Sequence, residues 1–70
     1  GYEAVGELNS KLATVAVWQV PYQKGVVYYM DGGRVHGVLI LNLRDKLKEA
    51  TALLKEAGPF KAEDLVGRIS

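Results

Sequence analysis

The residues able to do chemistry in this chain are few, and their spacing narrows the choice further. The single histidine, His36, stands in "GRVHGV" with no second histidine and no cysteine in the chain, so no zinc-type ligand set can be assembled around it. On a strand it is expected to pack across from Tyr29. The pair Gly32-Gly33 lacks the spacing of a phosphate-cradling loop and reads as a turn. Trp18, Tyr28 and Tyr29 offer faces on which a flat ligand could stack, yet aromatic residues at strand positions serve a core equally well. The helical charges, with Asp45 to Lys48 and Lys46 to Glu49 as candidate pairs, make a solvated face. No Ser/His/Asp constellation, no close pair of carboxylates on a common face and no dinucleotide glycine fingerprint is present. Taken by itself, the chain has no enzyme active site.

These residues must be positioned by one small domain. A chain of 70 residues buries only about 60% of the surface that it exposes when unfolded. The absence of cysteine excludes a disulfide framework, and a reducing, cytoplasmic setting is expected. Nine basic against eight acidic side chains leave a net charge of +1, too little for the positive field that nucleic-acid binding needs. No apolar run approaches the roughly 20 residues that cross a bilayer, so neither nucleic acid nor membrane is an expected partner.

Local patterns give the elements. Residues 2–8, "YEAVGEL", read as a strand, "NSK" as a turn, and 13–19, "ATVAVWQ", as a second strand that completes a hairpin and stops at Pro21. The runs 25–31 and 34–41 flank Gly32-Gly33, which suits a two-residue type I′ turn. That turn sets Asp31 opposite Arg34, Met30 opposite Val35, Tyr29 opposite His36, Val27 opposite Val38 and Val26 opposite Leu39. One face of this second hairpin is then Val26, Tyr28, Met30, Val35, Leu39 and Leu41, and the other is Val27, Tyr29, His36, Val38 and Ile40. From Leu43 the period becomes 3.6, with Leu43, Leu47, Ala50, Leu54 and Ala57 in a stripe, predicting a helix over 43–57. Asn42 is expected as its N-cap, Asp45 in its first turn, and Gly58-Pro59 as its end. A second helix over 61–68 has Phe60 and Leu65 spaced as a hydrophobic staple.

Four strands followed by two helices make an α+β domain, an antiparallel sheet of two hairpins with both helices packed on one face. The other face is apolar as well and larger than a monomer leaves bare. It calls for a neighbour, either another domain or a second subunit.

Two segments, "GYEAVGELNSKLATVAVW" at 1–18 and "KGVVYYMDGGRVHGVLILN" at 24–42, resemble the C-terminal domain of the apoptosis-inducing factor family, FAD-dependent NAD(P)H oxidoreductases of glutathione-reductase-like architecture. The helix ending "LLKEAGPF" is similar to that of ferredoxin and rubredoxin reductases. The resemblance implies that residues 1–70 are a single C-terminal reductase-type interface domain, a fragment of a longer chain. Its partners would be the FAD- and NAD-binding domains of the same protein, against which the apolar face packs to close the flavin side of the active site. FAD and NAD(P)H would belong to the parent, with no cofactor in the isolated chain and no catalytic residue of its own. A redox protein as electron acceptor is also implied. By position, the glutamate of the family's "GYEA" motif, close to bound nicotinamide nucleotide, falls on Glu3. A family asparagine at the same nucleotide falls on Asp45, where the acidic group breaks the match. Leu41 stands where the family commonly has tryptophan, before the retained Asn42. Only "VPYQK" joins the second and third strands, where animal members carry a long insertion, so a microbial reductase-type member is the nearer likeness. The alternative from the residues alone is a free-standing dimerisation or protein-docking module, a homodimer forming through the uncovered sheet face.

Overall fold

The computed structural model describes residues 1–69, and the architecture is the expected α+β arrangement. Strands β1 (Tyr2–Gly6), β2 (Ala13–Val20), β3 (Lys24–Asp31) and β4 (Arg34–Leu41) precede helices α1 (Leu47–Leu54) and α2 (Ala62–Leu65). The sheet is antiparallel with strand order β1-β4-β3-β2. β2, β3 and β4 form a meander, and β1 lies on the far side of β4.

This placement corrects the expected hairpin between the first two strands. β1 pairs with β4, from Tyr2 opposite Leu41 to Gly6 opposite Gly37, and the chain then crosses the end of the sheet to reach β2. Three strand spacings of about 4.8 Å have to be crossed, well within the reach of six extended residues at roughly 3.3 Å each. Two glycines admit the crossing. A Cβ on Gly37 would lie 2.0 Å from the Glu7 carbonyl oxygen, and one on Gly6 would lie 2.3 Å from that of His36. The Glu7 N–H donates to the His36 carbonyl at 2.8 Å.

The Gly32-Gly33 turn forms with positive φ at both residues, 60° and 78°, and Asp31–Arg34 and Met30–Val35 pair as expected. One step further the register shifts, Tyr29 pairing with Gly37, so that His36 is the extra residue of a β-bulge rather than the partner of Tyr29. The bulge also moves Val27 opposite Leu39 and Val26 opposite Ile40. Because a one-residue shift exchanges the faces of a strand, Val38 and Ile40 join Val26, Tyr28, Met30 and Val35 in the buried core, while Leu39 and Leu41 take the other side.

Both helices cover that core face through Ala50, Leu53, Leu65 and the following Ile69. α1 is shorter at both ends than its periodicity predicts. Asn42 and Asp45 have φ of 56° and 60°, left-handed values incompatible with a continuing helix, so Asn42 is not its N-cap and Asp45 is not in its first turn. Lys46 is the N-cap and Glu49 supplies the first-turn carboxylate. Lys46 and Glu49 do pair, at 3.9 Å. At the other end, Lys55 and Glu56 donate three residues back to Ala52 and Leu53, which tightens the last turn and ends it. Gly58 is left-handed as expected, with φ 73°, but it serves the turn after the helix, in which the Phe60 N–H donates to the Gly33 carbonyl at 2.6 Å. α2 is only one turn, flanked by Phe60 and the buried Leu65 in staple positions. The Asp64 carboxylate accepts from the Lys61 N–H at 2.8 Å.

Candidate functional site

Of the functional candidates, Glu3 and Asp45 lie at the end of the sheet where β1 starts, β4 stops and β2 turns into β3. Asn42 organises this corner. Its Oδ1 accepts from the Gly1 nitrogen at 2.8 Å, its backbone N–H donates to the Gly1 carbonyl at 2.9 Å, and its Nδ2 donates to the Gln23 carbonyl in the β2–β3 turn. Asparagine tolerates the left-handed backbone required here better than most side chains.

Next to Asn42 is a shallow groove of about 420 Å³ lined by Gly1, Tyr2, Glu3, Asn42, Leu43 and Arg44. Beyond Glu3 a second depression of about 380 Å³ is lined by Glu3, Asp45, Leu47 and Lys48. Glu3 thus borders both. It pairs with Ile40 across the β1–β4 ladder and so lies on the helix side of the sheet, where the Asn42–Lys46 loop faces it. Asp45, in that loop, lines the second depression with it, so the structure brings the two residues singled out by resemblance to one place. Arg44 and Lys48 add cations on either side. This mixture of carboxylates and cations can accept hydrogen bonds from hydroxyl or amide groups and can also pair with an anion. Among the described residues no group of three His, Cys, Asp or Glu side chains could hold a metal ion.

The other side of the sheet is uncovered. Directly opposed residues share a face, and the register places Tyr2, Ala4, Leu39, Leu41, Val27, Tyr29, Thr14, Ala16 and Trp18 there. None of these carries a charge. The row nearest the groove runs Tyr2, Leu41, Gly25, Trp18. The Trp18 ring lies close over Gly25, where a Cβ would meet it at 2.8 Å. Tyr22 packs against Trp18 with the rings tilted at 45° and their centroids 5.4 Å apart, and both Tyr2 and Tyr22 are open to solvent, at 72% and 86%. Of the aromatic residues weighed as stacking platforms, Trp18 and Tyr29 are on this face. Tyr28 is fully buried beneath the helices, its hydroxyl donating to the Leu65 carbonyl at 3.4 Å, and burial raises its pKa.

Residue types alone did not reveal Arg44, Lys48, Tyr22 or the Asn42 bonds. The one available hint was asparagine at a strand end, which suits a turn as readily as a helix cap.

No protein-family model matches the chain. It is similar to apoptosis-inducing factor 1, mitochondrial, of Dictyostelium discoideum, with 40% identity over a 63-residue alignment covering 77% of this chain and 12% of that protein. The chain therefore spans about an eighth of the relative's length. This match suggests the apoptosis-inducing factor and reductase-like family. No helix among the described residues is long and apolar enough to cross a membrane.

Proposed function

We propose that this chain is the C-terminal interface domain of an FAD-dependent NAD(P)H oxidoreductase. The observation that carries the reading is the uncharged sheet face, which runs across all four strands and is left bare while the helices cover the other side. Burying such a face is worth about 25 cal/mol for each Å² removed from water, and the FAD- and NAD-binding domains of a longer chain are the occupants that the sequence likeness supports. The groove beside Asn42 would then border the nicotinamide nucleotide. The Glu3 carboxylate would accept hydrogen bonds from it, while Asp45 would repel a phosphate and Arg44 and Lys48 would offset that repulsion. The catalytic chemistry would be that of the flavin, supplied by the parent, which passes its electrons to a redox-protein acceptor. The relative's mitochondrial location belongs to that protein; for this chain the cytoplasm is proposed, on its cysteine-free sequence.

The test is the absorption spectrum and NADH oxidation of the full-length protein that contains these residues. Flavin bands bleached by NADH, with KM for NADH raised about tenfold in Glu3→Gln, the loss of one charge-assisted hydrogen bond, would support the reading. A colourless protein without bound nucleotide would sink it. If that colourless protein dimerises through Tyr2, Trp18 and Tyr22, the free-standing docking module takes its place.

A further inference from the structure

Three non-glycine residues with positive φ occur among the described residues, Tyr22 at 59°, Asn42 at 56° and Asp45 at 60°. Asparagine and aspartate visit the left-handed region readily because their short polar side chains can bond locally, an outlet that tyrosine lacks. Tyr22 is the third residue of the turn Val20-Pro21-Tyr22-Gln23, which the Gln23 N–H closes by donating to the Val20 carbonyl at 2.9 Å. Proline second and a left-handed residue third mark a type II turn, whose third position ordinarily takes glycine.

The domain itself gains little from a tyrosine there. The ring meets Trp18 at a 45° tilt and remains 86% exposed. The turn is tied to the rest of the fold elsewhere, through the Gln23 carbonyl, which accepts from Asn42 Nδ2. A residue that breaks a local rule with no matching gain inside its own fold marks a functional position, and an exposed tyrosine is a favoured interface anchor.

The surroundings of Tyr22 point to its occupant. Trp18 lies over Gly25 on the bare sheet face, so the Tyr22 ring stands at the margin of that face and continues it. From Ala13 to Gln23 the chain carries no charge, which fits an apolar covering surface. Only 12% of the related protein's length is matched, so in that protein ample chain is at hand to cover the face. We infer that Tyr22 is the anchor by which the bare face docks on the FAD- and NAD-binding domains of the same chain, its ring entering an apolar pocket there. This rests on the interdomain reading proposed above and adds that the docking is concentrated at one exposed ring.

Hydroxyl-radical footprinting of the full-length protein, read by mass spectrometry, tests the anchor. In the wild type Tyr22, Tyr29 and Leu39 should all be shielded. Glycine suits the turn, so in Tyr22→Gly the core residue Tyr28 should stay protected. Oxidation of Tyr29 and Leu39, one and two rows along the face from Trp18, should nevertheless rise about threefold, as expected when a central anchor is removed. A Tyr22 as reactive in the full-length protein as in a free peptide overturns the inference, and so does Tyr22→Gly with Tyr29 and Leu39 still shielded. The wild type judges the wider reading separately. Open Tyr29 and Leu39 mean that no domain covers the face, and the interdomain reading falls; shielded Tyr29 and Leu39 beside an open Tyr22 remove the anchor alone. Shielding of Tyr22 that fades on dilution assigns the anchor to a second copy and likewise overturns the proposal. Should Tyr28 become reactive in Tyr22→Gly, the fold has been lost, and Tyr22→Asn, which also suits a left-handed position, carries the same comparison.

Discussion

The two faces of the sheet are built from the same kinds of residue and have opposite fates. Val26, Tyr28, Met30, Val35, Val38 and Ile40 lie beneath α1 and α2 and are buried, while Val27, Tyr29, Leu39 and Leu41 on the reverse of the same two strands remain partly open. Hydrophobicity does not tell them apart; Leu39 and Ile40 are neighbours of nearly equal apolar content. What separates them is the bulge at His36, which decides the parity of β4, and the two helices, which can cover only one side. The lesson is that an apolar strand residue is a core residue only after a partner surface has been assigned to it, and in this chain one of the two surfaces has none.

Four substitutions would break or sharpen that contrast. The largest effect is expected for Ile40→Ala, which empties a site with 0% exposure and should cost about 2–4 kcal/mol, a large part of the total stability of so small a domain. Leu39→Ala, one residue away on the bare face, should cost under about 1 kcal/mol. Urea unfolding followed by circular dichroism measures both, and equal losses would mean that the faces are assigned wrongly. Next is Gly37→Ala. Its Cβ would sit 2.0 Å from a backbone oxygen of the crossing segment, so β1 must be displaced at roughly 1–3 kcal/mol, the usual cost of overpacking. Faster amide exchange confined to β1 would confirm the location, and an unperturbed variant would refute the crossing.

The smallest effect belongs to Tyr28, whose hydroxyl is buried beneath the helices. Burial raises its pKa above the ordinary 10.0, so the folded state holds the phenolic proton where the unfolded chain releases it. That contribution is fully present below pH 10 and is lost as the pH climbs through the raised folded value, because the unfolded chain then binds fewer protons than the native one. Stability should therefore fall above about pH 10, and Tyr28→Phe should flatten this fall while costing about 1 kcal/mol at neutral pH for the weak bond to Leu65. An alkaline slope unchanged in Tyr28→Phe would assign it to other groups.

Much of the architecture was legible because it rests on local chemistry. Gly32-Gly33 can hardly be anything but a hairpin turn, and its register is right for the first two residue pairs. Phe60 and Leu65 are a staple by spacing alone. Misreadings arose wherever a remote group competed with a local preference. β1 and β2 look like a hairpin across "NSK", yet β4 offers β1 a fully apolar partner and a glycine to cross at. Asn42 looks like a helix cap, but its amide satisfies Gly1 and Gln23 instead, and the helix starts five residues later. For the candidate site, Glu3 and Asp45 were marked by resemblance, whereas Arg44 and Lys48 became neighbours of Glu3 only when β1 was laid beside β4.

By itself, the sequence determined the number and type of elements, the Gly32-Gly33 turn, the order of sheet before helices and an apolar surplus that two short helices cannot cover, since periodicity and turn chemistry act over a few residues. Tertiary structure alone decided the partner of β1, the bulge at His36, which side of the sheet is core and the corner where Asn42 gathers Gly1, Gln23 and the groove. The corner depends on groups that meet across 19 to 41 residues of chain, and a donor or acceptor carries no mark in the sequence of the distant partner that will satisfy it.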